Sequence, residues 1–420
     1  MRHLTRLSLA LATVGSSIAL PLLATPAATA APCNYGAMSM SATGSEIVIP
    51  NAPIGRKPSY ADRSMLGKKP QPLVSSEAIG PVTFVQWLGG RNSPNNTAQR
   101  FGVTGADLGI PWDNGQAGSN RETLYAFGDT FGNCSVSGQE WRNNILFRSA
   151  DANLADGIAI PNPAYGDIYA GSPVLQSRTN FSKQIIPKLG IASPEVTIIP
   201  TAAISIGNTQ YINFMSVRQW GQPGSWTTNY AAIAFSSDNG ETWSVPLKTV
   251  RANTSMGTRG TYKYAYGNEK FQMNAYVRKD GYLYQYGTPN GRSGAAYLAR
   301  VPENAILDLT QYRYWTGSAW STSPRYARAV FGAPVSELSV AWNPYLGKFI
   351  TMYTNNSGVV MRTATNPQGP WSSATTILSP EAIPGGIYAP YIHPWSSGNT
   401  LYFTLSLWSE YNVMLLKMTL

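Results

Sequence analysis

The sequence predicts an all-β chain folded as a five-bladed β-propeller, and three observations favour this class. From residue 81 onwards, short runs rich in Val, Ile, Tyr, Phe and Trp alternate with turns rich in Gly, Pro, Asn, Asp and Ser. No segment carries the hydrophobic period of a long helix. Five blades would each take ~68 residues, enough for the usual ~40–50 residues of a four-stranded blade plus long loops.

The chain divides into three parts along its length. Residues 1–30 have a basic start, an apolar run and a small-residue motif ending at Ala30, which predicts a secretory signal peptide. Residues 31–80 are rich in Ser, Pro and Ala, so we expect an irregular N-terminal arm. Residues 81–420 form the propeller. We therefore expect a protein that is secreted or associated with the cell wall, without a transmembrane segment.

The charge pattern argues against nucleic acid as a partner. The chain carries 31 Lys and Arg against 21 Asp and Glu, a formal net charge of +10. These cations are dispersed rather than clustered with aromatic residues, as nucleic-acid binding would require. Attraction to an anionic cell envelope explains the surplus more simply. We expect the protein to be a monomer.

Cysteine and histidine usage narrows the chemistry. Cys33 and Cys134 are the two cysteines of an exported chain, so a disulfide between them is one prediction and two unpaired thiols the alternative. His3 leaves with the signal peptide, and His393 alone remains. A zinc site with several histidines is therefore excluded, and proton transfer falls mainly to carboxylates. We expect no metal and no organic cofactor.

Two aspartates lie in similar Gly-rich segments on either side of a turn. Asp107 and Asp129 flank the turn sequence PWDNG at 111–115 and a loop centred on Gly118. In a simple antiparallel hairpin the two carboxylates would face each other across the pair. Two close carboxylates, one with its pKa raised by the other, are what acid–base cleavage of a glycosidic bond requires. The alternative is that each aspartate only caps turn backbone.

The segment SSDNGETW at 236–243 matches the Asp-box, Ser-x-Asp-x-Gly-x-Thr-Trp. Asp-boxes lie on the turn between outer strands of a propeller blade, where the Asp binds turn backbone and the Trp packs between sheets. Asp238 is therefore interpreted as structural. Degenerate copies of the motif occur at 365–371 and at 149–157.

Residues typical of a sugar-binding cleft surround the aspartate pair. Trp112 and Trp141 can stack on sugar faces, and Arg142, Asn143 and Asn144 can bind hydroxyl groups. Each also has a structural alternative, because Trp packs propeller cores and Asn favours turns. Trp112 is the first choice for a subsite beside the cleaved bond, since it lies between the two aspartates in sequence, on the loop that joins their strands.

Five ordered motifs resemble an actinobacterial family catalogued as domain of unknown function 4185, which is associated with endo-D-arabinanases. The matching segments are TGADLGIPWDNG at 104–115, AFGDTFG at 126–132, WRNN at 141–144, ELSVAWNPYLGK at 337–348 and YIHPW at 391–395. The resemblance covers 81–420. It implies an acid pair at Asp107 and Asp129.

The resemblance also implies a function and a substrate. We expect a glycoside hydrolase that cleaves internal furanosidic bonds of D-arabinan in the cell-wall polysaccharides arabinogalactan or lipoarabinomannan. In this assignment Asp129 protonates the leaving oxygen and Asp107 activates water or stabilises the transition state. We assign Asp113, Glu337 and His393, which lie in the shared motifs, to substrate binding.

Two other functions are compatible with the sequence. One is a non-catalytic propeller that binds wall carbohydrate and keeps the aromatic cleft. The other is a sialidase, as the Asp-box indicates, which would need three converging arginines. The candidates are Arg91, Arg100, Arg142, Arg148 and Arg178.

Overall fold

A computed structural model describes residues 82–90, 93–256, 262 and 264–420. The predicted signal peptide, 1–30, and the predicted arm, 31–80, lie outside the described residues. Both remain predictions.

The described chain is built almost entirely of β-strands, with one α-helix, α1 (Thr97–Phe101), and several single-turn 3-10 helices. The strands are β1 (Val82–Trp87), β2 (Gly105–Ala106), β3 (Ile110–Asp113), β4 (Thr123–Phe127), β5 (Thr130–Phe131), β6 (Ile145–Ser149), β7 (Val174–Leu175), β8 (Arg178–Ser182), β9 (Thr197–Ile206), β10 (Thr209–Trp220), β11 (Trp226–Ser236), β12 (Arg251–Ala252), β13 (Met273–Lys279), β14 (Tyr282–Thr288), β15 (Ala296–Pro302), β16 (Arg313–Trp315), β17 (Trp320–Ser321), β18 (Ala329–Phe331), β19 (Leu338–Asn343), β20 (Lys348–Asn355), β21 (Gly358–Ala364), β22 (Thr375–Leu378), β23 (Ile387–Ile392), β24 (Thr400–Leu407) and β25 (Asn412–Thr419).

Most of these strands form five antiparallel sheets arranged as the blades of a propeller, as the sequence predicts, and the short pairs β2-β5 and β7-β8 form two further sheets. Blade I is β3-β4-β6, and blade II is β9-β10-β11-β12. Blade III is β13-β14-β15-β16-β17 with β18 paired to β15, and blade IV is β19-β20-β21-β22. Blade V is β23-β24-β25-β1. The first strand of each blade packs against the first strands of both neighbouring blades, so these five strands surround a central funnel.

The ring is closed by pairing between the two ends of the described chain. Strand β1 pairs with β25, so blade V combines the earliest described strand with the last three. Closure of this kind leaves only short, protected sheet edges. Apolar side chains fill the space between blades and form continuous buried clusters.

The predicted Asp-box of blade II is confirmed as a structural element. It lies on the turn between β11 and β12, the two outer strands. The Asp238 carboxylate accepts hydrogen bonds from the Thr242 backbone N–H, the Thr242 hydroxyl and the Ser236 hydroxyl. The Trp243 indole donates to the Gly240 carbonyl at 3.0 Å. The degenerate copy at 365–371 occupies the same turn of blade IV, where the Trp371 indole donates to the Pro367 carbonyl.

The direction of the innermost strands decides which residues can share a site. Strands β3, β9, β13, β19 and β23 all begin at the same end of the funnel, because each is the first strand of its blade. Residues at or just before their first positions therefore meet at this end, called here the funnel mouth. Residues at their last positions lie at the opposite end.

Candidate active site

Asp107 and Asp129 lie opposite each other on one hairpin, as predicted. Strand β2 pairs Ala106 with Thr130, and β3 pairs Ile110 with Ala126. Both ladders share one antiparallel register, and in that register Asp107 falls opposite Asp129. The tight backbone of the two Gly-rich segments interrupts the ladder between the two short pairings.

The backbone beside Asp107 adopts a conformation that few side chains tolerate. Leu108 has a φ of 73° and Gly109 a φ of 62°. The Asp107 carbonyl accepts hydrogen bonds from the N–H groups of Gly109 and Gly128, each at 3.1 Å. A Cβ at Gly128 would lie 2.5 Å from the Asp107 Oδ1, so only glycine leaves room for this carboxyl group. Non-glycine residues at positive φ are enriched at functional sites.

The aspartates line a cavity of about 860 Å³ at the funnel mouth. Its volume falls within the ~300–1,000 Å³ range of small-molecule sites. All five blades contribute residues from the beginnings of their innermost strands or the adjoining turns. Examples are Asp107, Asp129, Thr197, Met273, Glu337 and Tyr388. Arg292 is the single cationic side chain among the described residues that line the cavity.

The surroundings of Asp107 favour its protonated form. Burial and then the nearby charge of Asp129 raise the pKa of Asp107 to about 8. The Tyr388 hydroxyl donates to Oδ2 at 3.0 Å and opposes this shift. Oδ1 is buried with no hydrogen-bond donor among the described residues. An ionised carboxylate with an unpaired buried oxygen is unfavourable, which is consistent with a bound proton.

The surroundings of Asp129 are more polar. Its Oδ1 accepts hydrogen bonds from the Thr197 hydroxyl at 2.6 Å and the Trp141 indole at 3.0 Å. Burial raises the pKa of Asp129 to about 6, while these two donors and the charge of Lys188 limit the increase. Between about pH 6 and about pH 8, Asp129 is therefore ionised while Asp107 is protonated. This order is the reverse of the roles expected from the sequence.

A partly buried ion pair occupies the funnel near Asp107. The Arg292 guanidinium contacts both carboxylate oxygens of Glu337, through Nε at 3.2 and 3.0 Å and through Nη2 at 2.9 Å. Arg292 also lies over the Tyr388 ring, 4.7 Å from its centroid. The Glu337 carboxylate is therefore engaged by Arg292 on both of its oxygens.

Two of the predicted substrate-binding residues line the cavity: Trp141 and Glu337. Trp112 and Asp113 do not, and their assignment to substrate binding is wrong. Trp112 is 4% exposed in the core between blades, and its indole donates to the Gln210 side chain at 2.8 Å. Asp113 is the last residue of β3, so it lies at the end of the funnel opposite the aspartate pair and forms an ion pair with Arg121.

Replacement of Trp112 by Ala is expected to reduce stability rather than substrate binding. Removing a buried Trp costs about 3–5 kcal/mol through the lost contacts and the cavity left behind. Thermal unfolding of the purified variant measures this loss. The exposed Trp342, which lies outside the cavity, provides the matched control Trp342→Ala. A Trp112→Ala variant with unchanged melting temperature would contradict the structural role.

His393 is also structural, and its predicted role in substrate binding is wrong. It follows the last residue of β23, so it lies at the opposite end of the funnel. Its Nε2 is 2.7 Å from the Tyr125 hydroxyl, and its Nδ1 accepts from the Trp395 backbone N–H. Burial lowers the pKa of His393 to about 3, so the ring is neutral. It belongs to the interior rather than to the site.

The segment WRNN brings one residue to the cavity and three to the interior. Arg142 donates to the carbonyls of Ser182 and Gly102, and Asn144 donates to those of Ile186 and Ile198. Asn143 is buried beside them. None of the three lines the cavity, so their predicted binding of sugar hydroxyls is wrong. The side chains of Arg142 and Asn144 instead hold neighbouring backbone, including Ser182 and Ile186 between blades I and II.

The four described arginines among those proposed for a sialidase do not converge on the funnel. Arg91 lies outside the described residues, and the other four bind protein groups away from the cavity. Arg100 binds Asn162, Arg142 binds backbone carbonyls, Arg148 binds Glu241, and Arg178 binds Glu140. The described cavity therefore lacks the arginine triad that this activity needs.

The structure adds residues that sequence reasoning did not identify. Tyr388 and Thr197 hold the two aspartates, and Arg292 neutralises Glu337. Tyr411, with a φ of 47°, also lines the cavity. None of these residues lies in a local pattern that distinguishes it from core tyrosines and strand threonines. Only the tight turn GGIYAP near Tyr388 offered a signal in the sequence.

Three further expectations concern a disulfide bond, a metal site and a membrane-spanning segment. Cys134 is disulfide-bonded, but Cys33 lies outside the described residues, so their pairing remains a prediction. Within the part of the chain that the structure describes, no group of three or more His, Cys, Asp and Glu side chains could hold a metal ion. No described helix has the length and apolarity needed to cross a membrane.

The fold and the site together define a five-bladed β-propeller with a pair of unequal carboxyl groups at the mouth of its central funnel. Comparison with known families agrees with the sequence motifs. The chain belongs to the family described as domain of unknown function DUF4185, which matches residues 92–417.

Similar proteins are known from fungi and bacteria. The Notoamide biosynthesis cluster protein J' of Aspergillus versicolor is 29% identical over 75% of this chain and 83% of its own length. A candidate hydrolase of Bacteroides ovatus superposes with a TM-score of 0.51 at 14% identity, over 84% of this chain and 96% of that chain. A family 117 glycoside hydrolase of Zobellia galactanivorans gives a TM-score of 0.45 at 10% identity, over 81% and 91% of the two chains. At these identities the structural similarity concerns the fold alone.

Proposed function

We propose that the protein is a secreted glycoside hydrolase that cleaves internal arabinofuranosidic bonds of a D-arabinan, as found in arabinogalactan or lipoarabinomannan. The observation that carries the proposal is the unequal environment of two opposed carboxyl groups in a deep funnel. Glycoside cleavage needs one protonated and one ionised carboxyl group. The choice of arabinan rests on the family resemblance of the sequence motifs, and secretion rests on the predicted signal peptide.

Asp107 acts as the general acid in this proposal. It is protonated at neutral pH and donates its proton to the departing sugar oxygen as the glycosidic bond breaks. The Tyr388 hydroxyl orients the carboxyl group and stabilises the carboxylate that remains after proton transfer. The Arg292 guanidinium, which pairs with Glu337, offsets part of the repulsion that Glu337 exerts on the new charge of Asp107.

Asp129 acts on the opposite side of the reacting sugar. As a carboxylate it stabilises the positive charge of the oxocarbenium-like transition state, and it either activates water or attacks the sugar carbon directly. Thr197 and Trp141 occupy its Oδ1, which leaves Oδ2 for the reacting group. The two donors also keep the carboxylate in place during the reaction.

Digestion of purified arabinogalactan tests the proposal. Products are separated by size, with the Asp107→Asn variant as the inactive control. Oligosaccharide products would support an endo-acting hydrolase. Monosaccharide as the single product would show that the enzyme acts from the chain end instead. An unchanged polymer that still binds the protein would instead favour the non-catalytic, wall-binding propeller.

The pH dependence of kcat/KM is expected to be bell-shaped, with a maximum near neutrality. Activity should fall below about pH 6, because Asp129 becomes protonated, and above about pH 8, because Asp107 loses its proton. Initial rates measured across a constant-ionic-strength buffer series check this profile. Activity that keeps rising above pH 9 would contradict the assignment of Asp107 as the acid.

A further inference from the structure

Two large aromatic side chains are exposed at the rim of the funnel. Trp220 is 45% exposed and Trp408 is 38% exposed, and both line the cavity that contains the aspartates. Aromatic side chains that line a concave cavity are typical of ligand-binding sites. Neither residue belongs to the motifs that the sequence analysis assigned to substrate binding.

Trp220 is held by a long hairpin of blade II. It is the last residue of β10, and its pairing partner is Trp226, the first residue of β11. Register shifts around Val217 bend this hairpin, and its loop 221–225 lines the cavity. The Arg292 backbone N–H donates to the Gly224 carbonyl at 2.9 Å, which fixes the loop to blade III. The indole of Trp220 therefore has a rigid support.

Trp408 is held on the turn between β24 and β25 of blade V. Its ring packs edge-on against Tyr388 and Tyr411, with centroids 6.1 Å away in each case. Its backbone N–H donates to the Gly386 carbonyl at 2.9 Å. Because Tyr388 also donates to Asp107, the exposed indole is one side chain away from the proposed acid.

The order of blades places the aspartates between these two indoles. Asp107 and Asp129 belong to the hairpin of blade I, and the innermost strand of blade I packs against those of blades II and V. Trp220 and Trp408 therefore flank the aspartate pair from opposite sides. A ligand in contact with both indoles would extend from blade II to blade V, the two neighbours of the blade that carries the aspartates.

We propose that Trp408 and Trp220 are the two end platforms of an open groove, on which a neutral polysaccharide chain stacks with its cleaved bond above Asp107 and Asp129. This inference rests on the proposed function and adds the path of the substrate. The ligand is a neutral polymer because Arg292 is the single cation lining the described cavity, and Glu337 neutralises it. Sugar residues on both sides of the cleaved bond are what internal cleavage requires.

Separate replacement of the two tryptophans tests the groove. For Trp220→Ala and Trp408→Ala we expect KM for arabinan to rise about 3–10-fold, a larger change than in kcat, because each indole contributes binding on one side only. The two product-length profiles should differ from the wild-type profile and from each other, since the variants lose opposite ends of the groove. Trp220→Phe, which retains an aromatic face, should recover part of the loss.

Trp342→Ala is the matched control. Trp342 is 47% exposed and packs edge-on against Phe349 at 4.9 Å, as Trp220 packs against Trp226 at 5.8 Å, but it lies outside the cavity. Its replacement should leave KM and product lengths unchanged. If the enzyme is active and the Trp220 and Trp408 variants behave like this control, the groove is wrong and the proposed hydrolase activity stands.

Binding without turnover separates the groove from the proposed function. Affinity electrophoresis through a gel containing arabinan is carried out with the same tryptophan replacements in an Asp107→Asn background. Retardation that is weakened by Trp220→Ala and by Trp408→Ala, and not by Trp342→Ala, supports the groove even if the wild-type protein hydrolyses nothing. Equal retardation of all variants overturns it. Melting temperatures of each preparation confirm that the variants are folded.

Discussion

Replacement of Asp107 by Asn is expected to lower kcat on polymeric arabinan by about 10²–10⁴-fold, the range typical of a lost general acid. The amide keeps the shape of the side chain but has no proton to donate to the leaving oxygen. The variant should also be more stable than the wild type at neutral pH. Folding raises the pKa of Asp107 to about 8, so the free energy of unfolding falls as the pH rises from the pKa of the unfolded chain towards about 8. Asn does not titrate, so the variant avoids this loss of stability.

The leaving group distinguishes an acid from other catalytic roles. In a nitrophenyl arabino-oligosaccharide, the nitrophenolate leaving group departs without protonation. The Asp107→Asn variant should therefore lose much less activity on this substrate than on the polymer. Steady-state rates on both substrates, together with thermal unfolding, measure these effects. An equal loss on both substrates, or a folded variant with near-normal activity on the polymer, would show that Asp107 is not the acid.

Replacement of Asp129 by Asn is expected to lower kcat by ~10⁴-fold on both substrates. The carboxylate acts on the sugar rather than on the leaving group, so an activated leaving group cannot compensate for its absence. The same two rate measurements check this prediction. The pH profile of the residual activity should lose its acidic limb, because the group that titrates at about pH 6 is gone.

Asp238→Asn in the Asp-box is the control for both aspartate variants. Its carboxylate accepts bonds from the Thr242 and Ser236 groups of a surface turn and lies outside the cavity. Its replacement should reduce the melting temperature without a selective effect on kcat. A loss on the scale of Asp107→Asn would indicate that damage to the fold, rather than chemistry, explains the active-site variants.

Three local features of the site conflict with ordinary structural preferences. Two carboxyl groups face each other, Leu108 has a positive φ, and Asp107 Oδ1 is buried without a donor among the described residues. Each of these features opposes folding, and the surrounding blades must compensate for them. Local conflicts of this kind are expected where function rather than stability determines the residue.

The sequence by itself determined the fold class, the facing of Asp107 and Asp129, and the family. Alternating apolar runs and turn residues predict strands wherever they occur, and the Asp-box marks the outer turn of a blade. The facing of Asp107 and Asp129 was predictable because both lie on one hairpin, whose register follows from the position of its loop. These are local relationships, and a local pattern is sufficient to establish them.

Only the tertiary structure decided which other residues join the pair and which carboxyl group holds the proton. Trp112, Asp113 and His393 lie in the shared motifs, but the fold places Trp112 in the core between blades and the other two at the opposite end of the funnel. Tyr388, Arg292 and Thr197 come from three other blades, and blade packing brings them to the mouth. Burial and these distant partners set the two pKa values, so the order of proton affinities depends on the assembled propeller rather than on the chain around each aspartate.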